Sequence, residues 1–252
     1  MDRGEFYSLV TNQLDRGDDR CSTESGAVLY SDLASVRPGR FYLLGINPGG
    51  EDGPRMPKIC EALCAPDGTN SYADQCWACT SAPCAHIDSA TGRLRPEARS
   101  KMQKRVCDLI DALGVPPRDV FSTNLAFARS PELSQLRAAN EWFRRCWPVH
   151  QALMRVVRPA WIVMLGYGDA YEFIRRSGSK IGEQEPIQPG SRAAWHQRLA
   201  LDIGECAAYE VRVLAVAHPS VRGFNAAGLG GADRYPDELR AFITAEVLGG
   251  RA

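Results

Sequence analysis

The chain has 252 residues, of which 44% are hydrophobic and 24% are charged, and its 30 basic and 30 acidic side chains give a formal net charge of +0. This composition is typical of a globular protein and excludes collagen, a coiled coil and a wholly disordered chain. The sequence lacks a run of about 18 apolar residues, which a membrane span requires, and residues 1–5 do not begin a secretory signal. We therefore expect a cytoplasmic protein without a membrane partner.

Short apolar runs alternate with helical periodicity along the chain. The runs predict four buried strands, at 41–46, 120–125, 161–165 and 211–217. Helical spacing predicts helices at 5–14, 97–113, 131–157, 166–173 and 234–247. Strands that alternate with helices form parallel sheets covered on both faces. The sequence therefore predicts an α/β fold in one domain, 1–252, with a parallel four-stranded sheet flanked by helices.

Polar side chains stand where three of the four predicted strands end. The first strand leads into Gly45-Ile46-Asn47-Pro48-Gly49, the second ends at Asn124, and the fourth leads into His218-Pro219-Ser220. In open α/β sheets, ligands bind beyond the carboxyl ends of the strands. We therefore expect two carboxamides and an imidazole to converge on one crevice, with no acidic residue among these strand-end positions.

These strand-end motifs resemble those of the uracil-DNA glycosylase superfamily. The first is similar to the motif of the mismatch-specific uracil and thymine glycosylases, whereas His218-Pro219-Ser220 looks like that of other branches, including the single-strand-selective one. Asn124 falls where the superfamily has its base-reading asparagine. The resemblance covers the framework of strands, over residues 40–50, 118–128, 160–170 and 211–225, and leaves 51–95 without a counterpart.

The resemblance implies a uracil-DNA glycosylase-like fold and a monofunctional enzyme that flips a base out of DNA and hydrolyses its N-glycosidic bond. His218 would donate a hydrogen bond to the anionic leaving base, and Asn124 would pair with a carbonyl and the ring N–H of uracil. Asn47 has no carboxylate to deprotonate water and would orient it instead, as in a slower branch of the superfamily. The motifs contain no lysine for a Schiff-base lyase step. The implied substrate is uracil or a related modified pyrimidine in single- or double-stranded DNA, in DNA repair by a monomer that needs no cofactor for the chemistry.

Other residues near the motifs are candidates for substrate and DNA contacts. Motif residues and nearby aromatic side chains are the candidates for binding the substrate: Gly45, Ile46, Tyr72, Trp77, Phe127 and Ser220. An aromatic side chain would stack on the flipped base, and Ser220 would orient backbone or a phosphate rather than act as a nucleophile. The loop after His218 corresponds to one that enters the minor groove in the superfamily, so Arg222 or Phe224 would be the wedge. The basic stretch 93–105 lines the DNA path or forms a solvated helix face.

Residues 51–95 form a Cys-rich insertion in which six potential metal ligands are crowded together: Cys60, Cys64, Cys76, Cys79, Cys84 and His86. The pair Cys76-x-x-Cys79, with Cys84 and His86 close behind, is typical of a metal site. Neither helix nor strand periodicity is present there, so metal coordination would supply the order that the segment needs. We expect a tetrahedral structural zinc or, as the alternative, a [4Fe–4S] cluster. Ordinary buried thiols are the simpler interpretation.

Three other functions stay open at the level of sequence. One is a glycosylase for hypermodified phage DNA bases in antiviral defence, for which the unmatched insertion leaves room. Another is a non-catalytic metal-containing DNA-binding module, and the third is a nucleotide-binding α/β protein with no role on DNA. Formation of an abasic site on a uracil-containing oligonucleotide separates the enzyme from the last two.

Overall fold

The computed structural model describes residues 1–16, 19–50, 56–77, 84–136, 138–187, 194–220 and 235–249. It confirms the α/β class. Six strands form one mixed sheet: β1 Phe41–Gly45, β2 Phe121–Asn124, β3 Trp161–Leu165, β4 Gly178–Pro186, β5 Ala194–Leu201 and β6 Tyr209–Val216. Their order across the sheet is β2–β1–β3–β6–β5–β4. A separate two-residue pair joins Asp15–Arg16 and Asp19–Arg20.

The prediction of a four-stranded parallel sheet is therefore wrong in extent. The four predicted strands are adjacent and parallel, whereas β5 pairs antiparallel with β6, and β4 pairs antiparallel with β5. The apolar runs at 41–46 and 161–165 mark strands that are buried on both faces. In contrast, β4 is polar and lies at the edge of the sheet with no fully buried residue, so it gives no apolar run from which a strand can be predicted.

Helices cover both faces of the sheet. They are α1 Arg3–Leu14, α2 Ser71–Asp74, α3 Lys101–Ala112, α4 Ala139–Val157, α5 Asp169–Arg176 and α6 Asp237–Phe242, which continues as a π-helical segment, Ile243–Leu248. Short 3₁₀ helices lie at Cys21–Thr23, Leu33–Ser35, Pro96–Ala98, Pro117–Asp119 and Leu133–Gln135. Within the described ranges, no helix is long and apolar enough to cross a membrane.

Alternate side chains of the strands enter two separate cores. Tyr42 and Leu44 of β1 pack on the side covered by α1, α4 and α5. Phe41 and Leu43 of the same strand pack on the side covered by α2, α3 and α6. This alternation follows from the two-residue period of a strand. The sheet is therefore the middle layer of three.

The described part of the Cys-rich insertion is ordered by the polypeptide itself. Residues 56–65 run beside residues 22–31, and backbone hydrogen bonds join them, for example from Ile59 N to Glu24 O at 2.9 Å and from Val28 N to Ala62 O at 3.1 Å. The side chains of Ile59 and Leu63 are buried in the core. Because these partners are distant in sequence, no local period reveals them. Metal coordination is thus not needed to account for the order of this stretch.

Candidate functional site

The predicted motifs lie side by side at the carboxyl edge of the sheet. The ladder between β1 and β2 continues past the strands, since Leu125 N donates to Gly45 O at 2.9 Å and Ala126 N donates to Ile46 O at 2.8 Å. Beyond β3 and β6, Gly166 N donates to Val216 O at 2.8 Å. Four adjacent strand ends therefore form one surface, as the sequence predicts.

A glycine joins the first motif to the last one. Gly166 follows β3 with a φ of +126°, and a Cβ on it would stand 2.8 Å from Ile46 Cδ1 and 3.5 Å from His218 Cδ2. Ile46 and His218 therefore both lie beside Gly166, at the end of β3. The motif after β1 and the motif after β6 are thus next to the same strand end.

Asn124 is a buried amide beside the first motif. Its side chain is 2% exposed, and its Oδ1 lies so close to Gly45 that a Cβ on Gly45 would clash with it. Within the described ranges, Nδ2 of Asn124 has no hydrogen bond of good geometry, although the Asn124 side chain interacts with the Tyr30 hydroxyl. A buried N–H group without an acceptor costs about 1–3 kcal/mol, and such groups in native proteins call for an explanation. An acceptor on a bound ligand would satisfy it.

Tyr30 and Tyr72 form an aromatic wall next to Asn124. Burial raises the pKa of Tyr30, against smaller lowering effects of Arg129 and of the neighbouring Asn124 side chain. The ring centroids of Tyr30 and Tyr72 lie 5.0 Å apart at 32°, and the Tyr72 hydroxyl is 3.2 Å from the position of a Cβ on Gly45. Trp77 extends this wall edge-on and is 39% exposed. Trp77 therefore has an exposed face for stacking, whereas Tyr72 is 1% exposed and packs in the core, so its role in stacking stays a prediction from sequence.

Tyr30 carries no sequence signal for a place in the site, and Phe127 belongs to the core. Tyr30 lies outside the motifs, on a segment whose backbone bonds to β2 through Tyr30 N and Ser122 O at 2.8 Å, so no motif points to it. Phe127 is fully buried and packs 5.1 Å from the ring of His150. Its candidacy as a stacking residue is wrong, because it faces the interior rather than the crevice.

Asn47 is held so that only its oxygen is left for a ligand. Its Nδ2 donates to Pro48 O at 3.0 Å, to Ser130 Oγ at 3.0 Å and to Ser130 O at 3.2 Å. Three acceptors around one atom fix the orientation of the amide, because the oxygen could not take that place. In the described part of the chain no donor reaches Oδ1 of Asn47. This atom can therefore accept a hydrogen bond from a water molecule.

His218 is a neutral hydrogen-bond donor. Ser220 N donates to its Nδ1 at 3.3 Å, and Ser220 Oγ lies 2.7 Å from the same nitrogen. Since a backbone N–H can only donate, Nδ1 is the acceptor and the network assigns the ring proton to Nε2. Burial lowers the pKa of His218 to about 4, so the ring is uncharged at neutral pH. Ser220 thus orients the imidazole, a more specific role than the one expected from sequence.

A second histidine holds the backbone next to Asn124. His150 of α4 is fully buried, and its Nδ1 lies 2.8 Å from Tyr42 Oη while its Nε2 lies 3.1 Å from Leu125 O. The carbonyl can only accept, so Nε2 donates to Leu125 and Nδ1 accepts from Tyr42. Burial lowers the pKa of His150 to about 4. No sequence signal separates this positioning role from that of an ordinary core histidine.

A cavity of about 730 Å³ adjoins the Asn47 loop. Ser130, which accepts from Asn47, forms part of its wall, and so does Arg129, whose Nη1 donates to Gly49 O. Ser25 Oγ and Arg129 Nε also belong to wall residues, and both are buried without a hydrogen-bond partner in the described ranges. A polar wall of this kind is expected to hold ordered water.

The expected wedge residues and one expected metal ligand cannot be placed. Arg222, Phe224 and Cys79 lie outside the described residues. Cys84 takes part in a disulfide bond, whereas Cys60, Cys64 and Cys76 are not disulfide-bonded. Cys64 packs against the core, and burial raises the pKa of its thiol.

The predicted metal ligands do not form a metal site in the part of the chain that is described. No three His, Cys, Asp or Glu side chains of that part lie close enough together to hold a metal ion. Five of the six candidate ligands are among those residues: Cys60, Cys64, Cys76, Cys84 and His86. The candidates among the described residues therefore form no ligand cluster, and the metal stays a prediction from sequence.

Comparison with known proteins identifies no family for this chain. No protein-family model matches the chain, and no curated protein matches it. The functional argument therefore rests on the residues themselves.

Proposed function

We propose that the chain is a monofunctional DNA glycosylase that releases uracil or a related modified pyrimidine by hydrolysis. The observation that carries the proposal is the buried amide of Asn124, whose Nδ2 has no well-formed hydrogen bond in the described ranges. This donor lies at the end of β2, beside the aromatic wall of Tyr30 and Tyr72. The cost of burying this donor is compensated when the carbonyl oxygen of a planar ligand accepts a hydrogen bond from it. A pyrimidine extruded from DNA has the shape and the acceptor that this place requires.

The other two motif residues fit the two needs of N-glycosidic hydrolysis. The departing base carries negative charge, and His218 offers an Nε2–H donor from a ring that burial keeps uncharged. A preorganised neutral N–H donor can stabilise this anion through a hydrogen bond. Asn47 offers Oδ1 to a water molecule, and it cannot act as a general base. We therefore propose electrostatic stabilisation by His218 and positioning of the water by Asn47.

The proposal extends to the fold and to the DNA-binding loop. The four parallel strands would correspond to the framework of the uracil-DNA glycosylase superfamily, and β4 and β5 would be additions at its edge. The loop that contains Arg222 and Phe224 would enter the minor groove. What supports this extension is the order of the three motifs along the chain and their place at adjacent strand ends.

A structural metal in the Cys-rich segment is a separate proposal that rests on sequence alone. Its support is the spacing of Cys76 and Cys79, with His86 close behind, whereas the disulfide-bonded Cys84 cannot act as a thiolate ligand. No step of the proposed reaction depends on it, and metal analysis of the purified protein tests it.

The test is base release from a panel of oligonucleotides in single- and double-stranded form. The panel contains uracil opposite guanine and adenine, thymine opposite guanine, and larger 5-substituted pyrimidines, and abasic sites are detected by alkaline cleavage. We expect release of at least one base by the wild-type chain. His218→Ala should lower the single-turnover rate about 100- to 1,000-fold, the usual effect of removing one preorganised donor. DNA affinity should persist in that variant.

The matched control is His196→Ala, which removes a half-buried imidazole on β5 whose Nε2 lies 3.4 Å from Glu185 Oε2 and which takes no part in the site. It should keep the wild-type rate. Release of only the larger substituted bases would favour an enzyme for hypermodified DNA. DNA binding without release of any base would favour a non-catalytic module, and the absence of both would refute a role on DNA.

A further inference from the structure

Two buried side chains hold the peptide groups on either side of His218. Arg105 of α3 donates from Nη1 to Pro219 O at 2.6 Å. Tyr235, which stands just before α6, donates from Oη to Ala217 O at 2.9 Å. Arg105 is 7% exposed and Tyr235 is 2% exposed. The carbonyl before His218 and the carbonyl after it are thus each fixed by a different element of the fold.

Burial of a guanidinium group calls for a specific reason. Removing a charge from water costs several kcal/mol in a protein interior, and arginine seldom accepts this cost without well-oriented acceptors. The neighbouring acid is also used to fix this arrangement. Asp108 accepts from Tyr235 N at 2.9 Å and from Arg240 Nη1 at 2.6 Å. Helix α3 therefore holds the His218 loop directly through Arg105 and holds Tyr235 in place through Asp108.

We propose that Arg105 and Tyr235 are positioning residues that fix His218 for its contact with the leaving group. They act on the backbone, whereas Ser220 acts on the ring, so translation and rotation of the imidazole are controlled by separate contacts. Neither residue is proposed to contact the substrate. The inference rests on the proposed function for its kinetic part, but the state of His218 that it implies is measurable without any reaction.

The geometry of the proposed reaction explains why such a clamp is useful. The Nε2–H group must lie within hydrogen-bond distance of one oxygen of the extruded base. Displacement of a catalytic group by about 1 Å can cost about 100-fold in rate. The loop begins directly at the end of β6, and the ladder with β3 ends at Gly166 N and Val216 O. The two clamping hydrogen bonds restrain the chain from Ala217 to Pro219, beyond the reach of that ladder.

The charges of this region also bear on the protonation of His218. Arg105, Asp108 and Tyr167 influence Tyr235, while burial alone accounts for the lowered pKa of His218, about 4. Loosening the loop admits water to the ring. The pKa of His218 should then move upward, toward the value of about 6.5 for an exposed histidine.

Three variants of the full chain test the clamp. Tyr235→Phe removes one hydroxyl, and we expect a single-turnover rate about ten-fold lower at unchanged DNA affinity. Arg105→Gln should lose about 100-fold, and Arg105→Lys should recover part of this loss, because an ammonium group can donate once to Pro219 O. Arg118→Gln is the matched control, since it removes an exposed guanidinium group outside the basic stretch 93–105. It should keep the wild-type rate.

NMR titration of ¹⁵N-labelled histidine provides the readout that does not depend on activity. The His218 resonance is assigned by its loss in His218→Ala. In Tyr235→Phe and Arg105→Gln we expect a raised pKa of His218 and a weaker preference for the Nε2–H tautomer, at wild-type secondary structure by circular dichroism. Wild-type rates together with an unchanged His218 titration in Tyr235→Phe would overturn the clamp. Inactivity of the wild-type chain on every base, with the expected shifts of His218, would instead refute the proposed function and leave the clamp standing.

Discussion

Acid should destabilise the fold through His150, and the structure sets the size and the direction of the effect. The folded state holds this ring uncharged, with a pKa of about 4, whereas an unfolded chain has a histidine pKa of about 6.5. Between these values the unfolded chain binds a proton that the folded chain excludes. The free energy of unfolding therefore falls as the pH falls from 6.5 to 4, and it is restored as the pH rises.

The two pKa values give the magnitude. From pH 7 to pH 5, the contribution of His150 to the free energy of unfolding decreases by about 2 kcal/mol, and below pH 4 the loss approaches about 3 kcal/mol. Because the side chain is 0% exposed, screening by solvent does not reduce this figure. Protonation also converts Nδ1 into a donor that faces the Tyr42 hydroxyl, so the group that holds Leu125 beside Asn124 is disturbed.

Urea unfolding followed by circular dichroism between pH 5 and pH 7 measures the effect. His150→Gln keeps one acceptor for Tyr42 and one donor for Leu125 but does not titrate. Over this pH range, the free energy of unfolding of His150→Gln should fall by about 2 kcal/mol less than that of the wild type. Tyr42→Phe is the control, since it removes the partner of Nδ1 and keeps the titrating ring. Equal losses in the wild type and His150→Gln would refute the reasoning.

The remaining sites give more direct expectations. Asn124→Asp should slow the release of uracil and allow the release of cytosine, because a carboxylate can accept a hydrogen bond from the cytosine amino group. An unchanged base preference would exclude Asn124 as the residue that recognises the base. Asn47→Ala should lose most of the base release. Asn47→Asp should not release the base faster than the wild type, because a carboxylate oxygen would face Pro48 O and Ser130 O where Nδ2 now donates. A faster Asn47→Asp enzyme would contradict this geometry. Elemental analysis and a visible spectrum of anaerobically purified protein should show about one zinc ion or one iron–sulfur cluster per chain, and the Cys76→Ser, Cys79→Ser double variant should lose this metal. If neither zinc nor iron is found, the cysteines are thiols and a disulfide only.

The strand framework could be predicted because its signal is local. The runs at Phe41–Gly45 and Trp161–Leu165 are buried on both faces, so hydrophobicity alone marks them. The edge strand Gly178–Pro186 could not be predicted in the same way, since its side chains face solvent and its stability comes from pairing with β5. The beginning of α4 was placed too early, at 131, because Leu133–Gln135 forms a 3₁₀ turn before the helix begins at Ala139.

The site was predictable where one residue type must follow a strand, and not where distant segments meet. Asn124 stands at the end of β2 and could be placed from the sequence. Tyr30 and Tyr235 reach the site from segments that carry no motif, and the contact between Tyr30 and Ser122 spans 92 residues of the chain. Arg105 ends the basic stretch 93–105, for which the sequence suggested the DNA path or a solvated helix face, but its side chain is buried and donates to Pro219. The cysteine spacing suggested a cause for order in 51–95, but hydrogen bonds to residues 22–31 supply that order in the described part.

Gly45 should limit the size of the residue that the first motif tolerates. A Cβ at this position would clash with Oδ1 of Asn124 and stand 3.2 Å from the hydroxyl of Tyr72. Gly45 is also the last residue of β1 and pairs with Asn124 in the ladder, so the backbone cannot move away without breaking that register. In Gly45→Ala the side chain of Asn124 must therefore turn, and overpacking of this kind costs about 1–3 kcal/mol.

We expect weaker base binding and slower release of uracil by Gly45→Ala, with the DNA affinity set by backbone contacts retained. Gly49→Ala is the matched control, because a Cβ there meets no atom of the described residues within 4 Å. If Gly45→Ala released uracil as fast as Gly49→Ala, Asn124 would not need its present orientation, and the base-reading role would have to be assigned elsewhere.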